Sequence, residues 1–121
     1  MNDFKGLVDQ YLELWNEPDA ELRSAGIADL FVEEATYTDP LADVGGHGGI
    51  GAVISGAREM FPGLVFEPTG ILDGHHDIVR FGWQLVPAGG GEPVAIGFDV
   101  AGISGDGRIR AVYGFLDKVP G

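Results

Sequence analysis

The stretch Ala35-Thr36-Tyr37-Thr38-Asp39-Pro40 decides how this chain is read. Its alternation puts Ala35, Tyr37 and Asp39 on one face of a short strand and Thr36 and Thr38 on the other, so Asp39 points wherever Tyr37 points. An acid before a proline is also a good turn initiator, a role that needs no chemistry. The choice between those two readings depends on what the rest of the chain brings to that face.

Upstream, the pattern is helical. Phe4, Leu7, Val8, Tyr11 and Trp15 recur at helical spacing, with Asp9, Gln10, Glu13 and Asn16 opposite them, so residues from about 3 to 16 form an amphipathic helix with Tyr11 on its buried face. Asn16-Glu17-Pro18-Asp19 carries turn chemistry, and Asp19 can cap a second helix running to about Asp29. Leu22, Ile27, Leu30 and Phe31 are expected to close that helix onto the core. Downstream, Asp43 to Gly49 reads as a flexible glycine loop around His47. Ile50, Val53, Ile54, Ala57 and Phe61 then mark a third helix, which Pro62-Gly63 stops.

From Leu64 the punctuation becomes that of a meander. Leu64 to Asp73, Ile78 to Val86, Pro93 to Ile103 and Arg108 to Asp117 are four strand-like runs separated by glycine-rich turns. Helix, helix, short strand, helix and four long strands suggest an α+β domain, 1–121, in which a strongly bent antiparallel sheet wraps around the helices as a cone.

Composition bounds what such a cone can hold. The chain has 121 residues, 45% of them hydrophobic, which suffices for one domain with a real core. Nineteen acids against seven bases give a net charge of −12, which repels phosphate backbones and anionic membranes and leaves a neutral or apolar small molecule as the easier ligand. There is no cysteine, which removes thiol nucleophiles and zinc-thiolate sites and fits a reducing compartment. Met1 to Lys5 lacks the pattern of a signal peptide, and the expected location is the cytoplasm. His75-His76 reads as a solvated turn rather than a metal site, and no metal or cofactor is expected.

Asp99 is the position that a cone makes hard to explain. It stands mid-strand in Ala95-Ile96-Gly97-Phe98-Asp99-Val100-Ala101, among apolar or small neighbours and with no base nearby. A carboxylate buried there costs several kcal/mol unless it is paired or neutralised. An edge strand would put it in water; a central one makes it a pocket acid.

These residues together carry a resemblance. Tyr11 within Gln-Tyr-Leu-Glu-Leu-Trp-Asn, the Ala-Thr-Tyr-Thr-Asp-Pro strand, the glycine-rich loop leading into Gly-Ile-Gly-Ala-Val-Ile and the late Asp-Gly-Arg-Ile resemble the nuclear transport factor 2-like superfamily. Within it the chain is most similar to SnoaL-like proteins and ketosteroid isomerases, and the match spans nearly its whole length. The resemblance implies Asp39 as general base, with Tyr11 and Asp99 as an oxyanion hole. It also implies a homodimer formed through the outer face of the sheet. The division of labour between an ionised and a protonated Asp is the known pattern of ketosteroid isomerase, transferred here by analogy.

Proton transfer beside a carbonyl needs just such parts, a base that takes and returns a proton and donors that hold the enolate oxygen. Trp15, Tyr37, His47, Phe61, Phe66 and Trp83 are the expected ligand-contacting residues, although core packing explains most aromatic residues without a ligand. Tyr11 likewise has the alternative of a core tyrosine bonded to a backbone carbonyl. Two other functions fit the resemblance: a polyketide cyclase using Asp99 with His47, and a ligand-binding or accessory module without catalysis. Gly97 stands where the limonene epoxide hydrolase branch has an arginine, which argues against epoxide opening.

Overall fold

The structure, a computed structural model, describes residues 3–119; Met1, Asn2, Pro120 and Gly121 lie outside the described residues. It contains α1 (Phe4–Asn16), α2 (Ala20–Leu30), β1 (Phe31–Thr38), β2 (Asp43–Gly45), α3 (Gly46–Met60), β3 (Leu64–His75), β4 (Ile78–Pro87), β5 (Ala95–Ile103) and β6 (Ile109–Lys118). The strands form one six-stranded sheet in the order β2-β1-β6-β5-β4-β3. It is strongly curved but unclosed, with three helices against it, the α+β architecture expected from the element order.

The starts of α1 and α2 are capped by acids, that of α2 by Asp19 as the sequence predicts. Asp3 accepts from Gly6 N at 3.0 Å, and Asp19 accepts from Glu21 N at 2.8 Å and Leu22 N at 3.1 Å. Polar side chains then fix the helices to their neighbours. Asn16, at the end of α1, exchanges two 2.8 Å hydrogen bonds with the backbone of Phe66 on β3. Arg58 of α3 donates to Trp15 O at 3.0 Å, and the buried Arg23 joins α2 to α3 through Ser55. Trp15 and Phe66 are therefore held in place by hydrogen bonds on either side of them.

The four long strands pair as antiparallel neighbours. Register shifts between Pro68 and Leu72, and at both ends of the β5–β6 pairing, interrupt the ladder, and Gly70 takes φ 91° at the first of them. Such irregularities bend strands and increase local twist. The β1–β6 pairing is parallel, Tyr37 opposite Val112 and Thr38 opposite Tyr113, and it places the Ala35 to Asp39 segment inside the sheet rather than beside it.

Two sequence expectations need correction. The Asp43 to Gly49 stretch is not a loop: Asp43–Gly45 pairs antiparallel with Thr36–Thr38, and α3 begins at Gly46. The pairing supplies partners to backbone that glycine propensity alone would leave loose, and Gly46, at φ 79°, turns the chain from strand into helix. Phe31, the C-cap of α2 and the first residue of β1, is fully buried, and Leu30 and Ile27 face the core with it as expected. Leu22 is 59% exposed and faces solvent, because α2 covers the core with a narrow stripe rather than a broad face.

Candidate active site

Along β5 the residues Ala95, Gly97, Asp99, Ala101 and Ile103 are buried, while Ile96, Phe98 and Val100 between them are less so. Asp99 thus belongs to the concave face, 4% exposed, between Phe81 on β4 and Gly114 on β6. Both of its oxygens have donors. Tyr11 Oη donates to Oδ2 at 3.2 Å and Trp83 Nε1 donates to Oδ1 at 3.1 Å. Burial pushes the Asp99 carboxyl up to about 7 from its ordinary 3.8; the bonds from Trp83 and Tyr11 oppose that rise and the nearby Asp39 adds to it.

Tyr11 reaches Asp99 from α1, with its ring edge-on to Phe81 at 5.5 Å between centroids. Burial, and then the charge of Asp99, hold its hydroxyl well above the ordinary tyrosine range, so it stays protonated and able to donate.

Asp39 ends β1 in a tight turn. Its Oδ1 accepts from Leu41 N and Ala42 N, both at 2.8 Å, while its own N–H donates to Ala42 O at 2.8 Å. Its Oδ2 accepts from Tyr37 Oη at 2.6 Å. The turn role and the pocket role are therefore combined in one residue: one oxygen is anchored by backbone, the other is aimed inward beside Tyr37. Burial, and then this bond, raise the Tyr37 hydroxyl far above its ordinary range, so it too remains a donor.

The two acids flank a single glycine. Thr38 pairs with Tyr113 and Asp99 with Gly114, so Asp39 arrives beside Gly114. A methyl group on Gly114 would lie 2.9 Å from Asp99 Oδ1 and 3.3 Å from Asp39 Cβ, so the missing side chain leaves room for both.

One cavity of about 110 Å³ contains the wall positions of Tyr11, Asp39 and Asp99. Trp15, Tyr37, Phe61, Phe66 and Trp83 also line it, which brings together eight of the nine residues singled out in the sequence. An engineered cavity of about 150 Å³ holds one benzene ring, so even a single-ring ligand would extend from this smaller space through its mouth. Leu41 and Leu116 stand on its wall, and Leu41 is 81% exposed. Sequence reading missed both, although a leucine directly after Asp-Pro in a turn was an available sign. Trp15 Nε1 is buried beside Tyr11, with the two ring centroids 6.1 Å apart.

His47 is the ninth residue, and the structure places it elsewhere. Its Nε2 lies 3.0 Å from both Phe31 O and Val32 O, a geometry in which Nε2–H donates to the first carbonyls of β1. Asp39 is at the other end of that strand. Because α3 starts at Gly46, the ring is drawn to the strand start rather than the cavity, and it is not brought together with Asp99.

A curved, unclosed sheet with three helices against it is the architecture of the nuclear transport factor 2-like class. The SnoaL-like domain model matches residues 8–112, and the chain belongs to the SnoaL-like family. Among solved structures, it is similar to a candidate isomerase of that family from Agrobacterium tumefaciens, with 40% identity, a TM-score of 0.89 and coverage of 94% of this chain and 97% of that one. A candidate polyketide cyclase from Sinorhizobium meliloti shares 19% identity at a TM-score of 0.70, covering 90% and 93% of the two chains. A nuclear transport factor 2-like protein with a cystatin-like fold from Novosphingobium aromaticivorans shares 19% identity at 0.70, covering 93% and 78%. These last two likenesses concern the fold. No curated protein matches the chain. No described helix is long and apolar enough to cross a membrane.

Proposed function

We propose that this protein is a cofactor-free isomerase that moves a proton between carbons beside the carbonyl of an apolar, one-ring ketone. The observation that carries the reading is the convergence of Tyr11, Asp39 and Asp99 on one apolar cavity, with the two acids astride Gly114. Asp39 Oδ2 takes a proton from the carbon next to the carbonyl. The C–H pair forms the enolate double bond and the carbonyl pair moves onto oxygen, where the donors Tyr11 and protonated Asp99 hold it. Collapse of the enolate returns the proton from Asp39 to the far carbon, and the double bond is displaced into conjugation. The 40% identical candidate isomerase supports this reading. The cyclase alternative, in which His47 assists Asp99, has no such support, since His47 bonds to the start of β1.

The absence of cysteine fits action in the cytoplasm. The outer face of the sheet, where Phe98 pairs with Phe115 and Val100 with Tyr113, supports association of two copies; Phe115 is 56% exposed.

The test is conversion of the β,γ-isomer of cyclohexenone to the conjugated α,β-isomer, followed by ultraviolet absorbance with no cofactor or partner added. Conversion above the buffer rate is expected. Tight binding of p-cresol, a mimic of the enolate, without any conversion would instead make the protein a carrier.

A further inference from the structure

Trp83 and Gly97 face each other across β4 and β5. A methyl group on Gly97 would sit 2.0 Å from Trp83 Cζ2 and 2.2 Å from Cε2, so the indole lies directly on the glycine. Gly97 has no left-handed backbone to explain it; what it supplies is room. Lying there, and edge-on to Phe66 at 5.4 Å, the indole runs along β5 towards the residue two positions on, and Nε1 meets Asp99 Oδ1.

An indole N–H donates and cannot accept. While this bond is made, Oδ1 serves as an acceptor in either protonation state of Asp99; because a tyrosine hydroxyl can turn round and accept where an indole N–H cannot, the proton of the neutral acid goes to Oδ2. That is the oxygen beside Tyr11 Oη. We propose that Trp83, seated on Gly97, is a positioning residue that fixes the Asp99 carboxyl and assigns its proton to the Tyr11 side. The proposal rests on the reading of Asp99 as the acid that holds the substrate oxygen. Its consequence is that both hydroxyl donors, of Asp99 and of Tyr11, are gathered at one spot instead of being scattered by a freely turning carboxyl.

The titratable groups that face Asp99 are Tyr11 from α1, and Tyr37 and Asp39 from β1 and its turn; Trp83 from β4 is a neutral donor. None of these other groups changes in Trp83→Phe, which keeps a ring over Gly97 and removes the N–H. The experiment is an NMR titration of the ligand-free full chain, following the Asp99 side-chain carboxyl carbon and the Trp83 indole proton. In the wild type both signals are expected to move with one shared midpoint. In Trp83→Phe the carboxyl midpoint should rise by about one pH unit, the size expected for loss of one hydrogen bond to a charged group. Gly97→Ala, which displaces the indole, should shift it the same way. An indole proton indifferent to the Asp99 titration, or an unchanged midpoint in Trp83→Phe, overturns the proposal. Since no substrate is used, a failure of the isomerase reading leaves this result standing and is seen separately, as absent turnover.

Discussion

Asp39 and Asp99 are the same residue type on the wall of the same cavity, yet their surroundings differ in nearly every respect. Asp39 closes a turn at a strand end, half-buried, with two backbone N–H groups on one oxygen and Tyr37 on the other. Asp99 sits mid-strand, buried, with side-chain donors alone and a carboxyl raised to about 7. Backbone donors at a turn come with the fold and favour an acceptor at that place. Desolvation in mid-sheet favours a neutral acid. On the proposed reading, one fold presents a base and a proton donor a short way apart, and the difference comes from position rather than residue type.

That contrast can be attacked at several points. Tyr11→Phe leaves the ring contacts with Phe81 and removes the donor from Asp99 Oδ2. Turnover of β,γ-cyclohexenone should fall about 100-fold, as for loss of one oxyanion donor, with folding retained by circular dichroism. A loss of less than a few-fold would make Tyr11 a core residue and leave Asp99 isolated.

An effect on stability rather than turnover follows from the raised carboxyl of Asp99. An acid whose folded pKa exceeds its unfolded value keeps its proton in the folded state at pH values where the unfolded chain has released it. Folding stability therefore falls as pH rises from the ordinary 3.8 to about 7, and the full penalty is present above that. Asp99→Asn removes the titration. Its melting temperature relative to wild type should climb by roughly ten to fifteen degrees between about pH 4 and pH 8. A flat difference across that range would mean that Asp99 ionises freely.

The smallest effect concerns a residue outside the contrast. His47→Ala removes the donor to Phe31 O and Val32 O and should lower stability by about 1 kcal/mol in urea unfolding. Turnover per folded molecule should stay within about two-fold; a much larger loss would restore the cyclase reading.

The parts of this molecule legible in the sequence were those governed by local rules. The helical spacing of Phe4, Val8, Tyr11 and Trp15, the cap at Asp19, and the alternation through Tyr37 and Asp39 all describe neighbours a few residues apart, and the structure follows them. What stayed hidden depended on register. Nothing local tells that β1 runs parallel to β6, and without that pairing Gly114 is one glycine among 21 rather than the gap between two acids. The bond from Trp83 to Asp99 likewise needs the β4–β5 register, which sets the indole on Gly97; by itself Trp83 is one more aromatic residue. Asp43 to Gly49 misled for the opposite reason, since its glycines argued for a loop while strand pairing and the His47 bonds ordered it.

The division of labour itself is tested most directly by Asp39→Asn, a change that keeps an acceptor for Leu41 N and Ala42 N while removing the base. Turnover of β,γ-cyclohexenone should drop by about 1,000-fold or more, the scale of a lost general base, while the affinity for p-cresol, set by Tyr11 and Asp99, stays within a few-fold of wild type. Turnover that survives in Asp39→Asn would contradict the assignment of the two acids.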